Sequence, residues 1–390
     1  MESGSLLFSF FLIFSGAAVL ASAALFTRQP LIVAYIVLGA VFGPYGAKLV
    51  TDTGLLNDIA HVGIIFLLFL LGLDMQPSHL GHLLKKTATV GLISSVLFAA
   101  AGYFMGCLFG FNQTEAIICG ATMMFSSTII GIKLLPTTVL HHKHTGELLV
   151  SLLLLQDLMA ILVLLLLYNF DGGFSNSRLD ILMALAALPL LIVSAFLAVK
   201  LLLLPLMAKF DRFHEYLFLL AIGWCLGFAE LAHALNLSYE IGAFIAGISI
   251  ATSPIAQYIA INLKPLRDFF LVLFFFSIGA SFNLSLLPDV FIPALAMSVV
   301  CMLMKPGVFG LLLKRVSEKK STAWEVGFRL GQTSEFSILI AVLATGQLLL
   351  GEIASHVIQA TAIMTLILSS YVVVFRFESP IAINEKLRRD

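Results

Sequence analysis

One carboxylate stands where lipid or packed apolar protein should be. Asp157 lies in the middle of LLVSLLLLQDLMAILVLLLLY, about ten apolar residues from either end, with Gln156 beside it. An ionisable group inside a membrane span costs several kcal/mol unless it is paired or hydrated, so each such group is a functional candidate. A carboxylate out of water is stable only with a proton, a counter-charge or a metal cation, and one that accepts these in turn can trade a proton for a cation. A buried structural ion pair is the plainer alternative. Lys305 lies deep in a second apolar run, directly before Pro306, whose ring removes a helical hydrogen bond. It is a positive partner either for an intramembrane carboxylate or for exposed helix carbonyls.

Two polar interruptions accompany these charges. In GFRLGQTSEFSIL, the residues Gly331, Gln332, Thr333 and Ser334 break an apolar run between Arg329 and Glu335. A polar, glycine-containing stretch at membrane depth has the composition of an unwound helix, which is tolerated only where it faces protein or a water-filled cavity. Mutual neutralisation of Arg329 and Glu335 is expected here in preference to direct ion binding. In ATMMFSSTIIGIKLLP, the triplet Ser126, Ser127 and Thr128 plays the same part. Helical Ser and Thr usually bond back to the preceding turn, so the triplet alone says little. Freed carbonyls and hydroxyls at both interruptions can replace part of a cation's hydration shell.

The elements that must position these residues are membrane helices. Of 390 residues, 60% are hydrophobic and 11% charged, which excludes a soluble domain, for which about 25% charged residues is ordinary. Apolar stretches fall near 5–25, 31–47, 59–73, 87–109, 115–135, 147–168, 181–206, 214–235, 239–252, 265–283, 289–313, 322–347 and 354–375. Each approaches the length needed to cross the hydrocarbon core. The reading is an all-α polytopic membrane protein of thirteen transmembrane helices, one transporter domain over 1–390 with no soluble regulatory domain. Seventeen basic residues fall on one side of these spans and two, Lys48 and Arg178, on the other. The positive-inside rule then places the amino terminus outside and the carboxyl terminus in the cytoplasm, and a bacterial inner membrane is the expected location. The first span, with Ala21-Ser22-Ala23 near its end but no Lys or Arg before it, reads as an uncleaved helix.

The interrupted spans are the fifth and the twelfth. An offset of seven helices reverses direction across the membrane, so the two run antiparallel and qualify as equivalent members of an inverted repeat. Interrupted helices at corresponding positions of two such halves point to a transporter's substrate site at the bilayer midplane. Other features carry less. Gly102, Gly106 and Gly110 suggest close helix packing in the fourth span. His141, His142 and His144 read as a solvated cytoplasmic loop rather than a metal site. Glu230 and His233 sit near the outer end of the eighth span. The four cysteines are scattered singly, charges balance at 22 and 22, and no basic tract offers a nucleic-acid footprint. No HExxH, paired catalytic aspartates or nucleophile with a base supports an enzyme.

The blocks AYIVLGAVFGPYG, FLLFLLGLDM, FSSTIIG, LLLLQDL, IGAFIAGI, LKPLRDFFLVLFFFSIGASF and GQTSEFSIL occur in this order along nearly the whole chain. With them the chain resembles the membrane domain of the cation:proton antiporter-2 family, and within it the Kef-type potassium/proton transporters. The resemblance implies a sodium/proton antiporter-like fold: thirteen helices in an inverted repeat with spans five and twelve as crossed broken helices. It implies a core part, about 87–168 and 289–375, that moves against a dimerisation part, about 1–80 and 214–283, in a homodimer. The cation-binding acid would be Asp157 and the basic position Lys305. Potassium is expected before sodium as the cation exchanged for protons, without a cofactor; a ligand-gated, channel-like potassium efflux route is the alternative. Members with two adjacent aspartates are associated with electrogenic exchange, whereas Gln156 holds the first position here. Kef-type transporters usually carry a nucleotide-binding regulatory domain after the membrane part, and this chain stops at Asp390, so a separate soluble regulatory subunit or a longer chain would supply one. Their glutathione response depends partly on an acidic loop, and AQYIAINLK has no acid, so that response is not carried over.

Overall fold

The fold was derived from a computed structural model, which describes residues 6–379 apart from 28, 30, 51–53, 75–76, 129–130, 132–143, 171–177, 211–212, 236, 252, 254 and 317. His141 and His142 lie outside the described residues, as do several of the basic residues behind the orientation. The described elements are helical: α1 (Leu6–Phe26), α2 (Leu31–Phe42), α3 (Gly54–Asp74), α4 (Pro77–Leu108), α5 (Gln113–Met123), α6 (His144–Phe170) and α7 (Arg178–Ala198). A π-helical turn at Val199–Leu203 joins α7 to α8 (Leu204–Lys209), and α9 (His214–Ala234), α10 (Tyr239–Ala251) and α11 (Ala256–Ser281) follow. After a 3₁₀ turn at Leu284–Leu286 come α12 (Leu287–Arg315), α13 (Lys320–Arg329), α14 (Glu335–Gly346) and α15 (Glu352–Arg376). Seven of the described helices are long and apolar enough to cross a membrane, and four shorter apolar ones stand among them. The protein is a polytopic helical membrane protein.

Two compact units share the chain. The first takes Met1–Val50, His82–Val163 and Gly279–Asp390, and therefore every residue of the candidate site; the second takes Thr51–Gly81 and Leu164–Ile278. The second unit is built on close backbone approach. A Cβ at Gly247 would collide with the Phe69 carbonyl oxygen and lie 3.0 Å from Gly72 Cα, so α3 and α10 meet through their glycines. Lipid offers little hydrophobic drive for helix association, and small residues that bring backbones together supply van der Waals contact instead. Gly247→Ala is expected to cost about 1–3 kcal/mol by overpacking, seen as a lower thermal midpoint in detergent.

In the first unit the α4–α5 hairpin uses the same device. A Cβ at Gly102 would lie 2.8 Å from the Cys119 carbonyl oxygen, and one at Gly106 would lie 3.0 Å from Ala116 Cα. Gly110, expected to continue this packing row, does something else. It has φ of +79° with open space around it, and supplies the left-handed turn that ends α4. Asn112 and Glu115 then start α5 with a reciprocal capping box, Asn112 Oδ1 accepting from the Glu115 N–H at 2.9 Å and Glu115 Oε2 from the Asn112 N–H at 3.0 Å. The other oxygen of Glu115 accepts from the Gly351 N–H at 2.9 Å, which ties the start of α5 to the residue before α15.

His144, at the start of α6, has Nδ1 3.2 Å from Glu147 and Nε2 3.0 Å from Glu318. Its two nitrogens face carboxylates on opposite edges of the ring, an arrangement that fixes the helix start rather than converging on one ion. Glu230 and His233 are exposed on α9, where the His233 ring stacks on Tyr239 at 4.3 Å.

Candidate cation and proton site

The two polar interruptions are two breaks, and they touch. α5 ends at Met123, and residues 125–127 are not helical. The Ser126 N–H, which loses its helical acceptor there, donates to Gln156 Oε1 at 3.0 Å. The Ser126 hydroxyl donates across to the Leu330 carbonyl oxygen at 2.9 Å, in the gap between α13 and α14. From that second break Gln332 Nε2 reaches back to the Ser127 carbonyl oxygen at 3.3 Å and to its own Arg329 carbonyl oxygen at 3.0 Å. Ser334 caps α14, its hydroxyl accepting from the Phe336 N–H at 3.1 Å. The Gly331 N–H bonds to the Phe328 carbonyl oxygen at 3.3 Å, and its carbonyl oxygen accepts from the Cys301 thiol at 3.4 Å. Buried backbone groups must be paired, and here each break pairs much of what the other leaves open.

Lys305 closes the arrangement. Its ammonium donates to the Phe125 carbonyl oxygen at 2.6 Å, to the Gln332 carbonyl oxygen at 2.9 Å and to the Ser126 hydroxyl at 3.4 Å, with the Phe98 ring 5.3 Å away. Of the two partners open from sequence, exposed helix carbonyls are the ones it takes, one from each break. An ammonium has three N–H donors, and all three meet oxygen.

Asp157 is 1% exposed and follows directly on Gln156, which bonds the first break. The Thr128 hydroxyl stands 3.3 Å and 3.5 Å from its two oxygens, at the long limit of hydrogen bonding. Glu335, in the first turn of α14, is also buried. The expected pairing of Glu335 with Arg329 is revised. Arg329 is paired with Glu325, one helical turn earlier, at 3.0 Å, because the helical spacing brings those two onto one face, whereas the break interrupts the helix between Arg329 and Glu335. Gln156 also differs in what its side chain is free to do. Its oxygen is occupied by the Ser126 N–H, and its Nε2 is buried without a hydrogen-bond partner among the described residues.

Several site-forming residues were not singled out from sequence. Thr361, Thr365 and Ser369 repeat every four residues along α15, and two of them serve the second break. Thr365 Oγ1 accepts from the Thr333 N–H at 3.2 Å and meets the Thr333 hydroxyl at 3.0 Å, and the Ser369 hydroxyl donates to Gln332 Oε1 at 2.7 Å. Ser337 in α14 donates to the Thr122 carbonyl oxygen in α5 at 2.6 Å. The four-residue period of hydroxyls in the last span was the available signal. The result is a pair of buried acids set in a dense field of hydroxyls and carbonyls, with one ammonium holding the carbonyls of both breaks.

Comparison with known proteins agrees with this architecture. The chain is 31% identical over 321 residues to K(+) efflux antiporter 4 of Arabidopsis thaliana, covering 80% of this chain and 54% of that protein. It is 30% identical over 325 residues to K(+) efflux antiporter 5 of the same plant, covering 80% and 56%. The chain thus spans a little over half the length of these relatives. The solved structure of the sodium proton antiporter MjNhaP1 from Methanocaldococcus jannaschii superposes with a TM-score of 0.68 at 19% identity, over 92% of this chain and 94% of that one, which shows a shared fold. The transmembrane sodium/hydrogen exchanger family matches residues 10–377, and with that span and this fold the chain belongs to the sodium/hydrogen exchanger family of antiporters.

Proposed function

We propose that the protein exchanges a monovalent cation, potassium before sodium, for protons at Asp157, by alternating access and without net charge movement. The observation that carries this reading is a buried Asp157 with Thr128 on its oxygens, next to Gln156, which bonds the first of the two touching helix breaks. A bare carboxylate there is costly, and either a proton or a partly dehydrated cation relieves the cost, so the two ligands compete for one place. The family supplies antiport. The relatives named for potassium efflux favour potassium as the cation. On this reading the thirteen spans form an inverted repeat, and a core of about 87–168 and 289–375 moves against a dimerising part of about 1–80 and 214–283. The protein is a homodimer in a bacterial inner membrane with its amino terminus outside, and a soluble nucleotide-binding partner would regulate it.

Inside-out vesicles carrying a pH-sensitive dye test the exchange directly. Potassium, sodium and lithium are added separately to the medium around vesicles with an acidified interior, and potassium is expected to restore the dye signal at the lowest concentration. Equal responses with and without protein, for all three cations, would end this reading. Thr128→Ala probes the site itself. It removes one long hydrogen bond to Asp157, worth about 1 kcal/mol, and is expected to raise the KM for the cation roughly fivefold while the maximal rate changes little. An unchanged KM would confine Thr128 to packing.

A further inference from the structure

The second break is also held by residues that stand away from Asp157. Arg329, the last residue of α13, is fully buried. Its Nε and Nη2 lie 3.1 Å and 3.0 Å from Glu325 Oε1, and Nη2 also donates to the Glu378 carbonyl oxygen at 2.7 Å. Its guanidinium lies 5.7 Å from the centroid of the Phe377 ring. The arrangement is reciprocal: the Arg376 guanidinium stands 5.8 Å from the Phe328 ring, and the Phe328 and Phe377 rings are 5.9 Å apart. Each of the contacts beyond the Glu325 pair joins the end of α13 to the three residues with which the chain leaves α15.

A buried guanidinium without partners would be severely destabilising, and its planar fork fixes direction as well as distance, so these partners hold Arg329 in one place. The break begins at the next residue. The Arg329 carbonyl oxygen accepts from Gln332 Nε2, and the Leu330 carbonyl oxygen accepts from the Ser126 hydroxyl. Moving the backbone of Arg329 therefore moves the acceptors that place Gln332 and Ser126, and through these two the oxygens that Lys305 binds.

We infer that Arg329, Glu325 and residues 376–378 form a clasp that positions the 330–334 break, so that the cation affinity of the site depends on how the chain leaving α15 is held. Arg329 is a positioning residue in this scheme. Its effect on affinity rests on the exchange proposed above, whereas the clasp itself does not.

The test uses the full chain with Phe377→Ala, Phe377→Leu and Phe377→Trp, read by amide hydrogen exchange in detergent and by exchange kinetics in proteoliposomes. Losing the aromatic face in the Ala and Leu variants is expected to speed amide exchange over 326–334 about tenfold while 113–123 keeps its protection. The same variants are expected to raise the KM for the cation at least about threefold with the maximal rate preserved, and Phe377→Trp restores both readouts. Unchanged protection over 326–334 would overturn the clasp. Faster exchange there with an unchanged KM would overturn its role in positioning the site. If Phe377→Ala loosens the whole fold, Phe377→Leu, which keeps the bulk, decides the same two questions. If the unsubstituted protein exchanges no cation, the amide data still decide the clasp while the functional reading falls separately.

Discussion

Asp157→Asn is expected to leave a folded, membrane-inserted protein whose cation-dependent proton movement does not rise above that of empty vesicles. Asparagine has nearly the same shape and can accept from the Thr128 hydroxyl as the carboxylate does. What it lacks is the charge. A monovalent cation brought to a site 1% exposed, without a carboxylate to meet it, forfeits hydration that neutral oxygens replace only in part. A penalty of about 3 kcal/mol already corresponds to more than a hundredfold in affinity. Asparagine also has no proton to release, so both halves of the exchange fail at once. Folding should not suffer, because the substitution removes a buried charge and leaves an isosteric neutral side chain. A thermal midpoint equal to or above that of the unsubstituted protein, together with a single elution peak, would show that the lost activity is chemical. Exchange retained in Asp157→Asn would move the competing acid elsewhere, and Glu335→Gln in the same assay would show whether Glu335 is that acid.

The fold class was legible because bilayer spanning imposes a coarse rule on composition, and the two breaks were legible because polar residues at membrane depth are rare. Ser126, Ser127 and Gln332 therefore stood out, and hydrogen bonds join the two interruptions that carry them. Partners were harder to read. Sequence distance suggested Arg329 with Glu335, six residues apart, yet a break between them removes helical periodicity and leaves Glu325, four residues earlier on the intact helix, as the neighbour. Gln156 shows the same limit. Standing next to Asp157 marked it as a site residue, but whether its carboxamide faces an ion or a backbone N–H depends on where the Ser126 backbone lies, and that is set by contacts some thirty residues away. The hydroxyls of α15 were missed for a different reason. Thr365 and Ser369 look like ordinary helical residues until the break they serve is known. Gly110 followed the row of Gly102 and Gly106 by spacing alone, while its conformation belongs to the end of the helix.

The rate of exchange is expected to change less than twofold as the membrane potential is varied over about 100 mV. A cycle that moves one net charge would be biased by about 2.3 kcal/mol per 100 mV, roughly fiftyfold in its equilibrium, so the two cases are far apart. Neutrality follows if Asp157 holds either one proton or one monovalent cation and every other buried group keeps its state through the cycle. Gln156 cannot take a charge. Lys305 would have to give up a proton while its nitrogen faces two carbonyl oxygens and a hydroxyl; a neutral amine has two N–H groups and a lone pair, and that lone pair would then be directed at an oxygen. The contacts therefore favour an ammonium that stays charged. Glu335, buried in the first turn of α14, is the other carboxyl group that has to keep its state. Proteoliposomes held at different potassium diffusion potentials with an ionophore, with sodium as the exchanged cation if it is accepted, provide the measurement. A several-fold dependence of rate on potential would mean that a second proton travels, and Lys305→Arg separates its two sources. Arginine keeps its charge throughout, so loss of the voltage dependence in that variant would identify Lys305 as the carrier, and its persistence would identify Glu335.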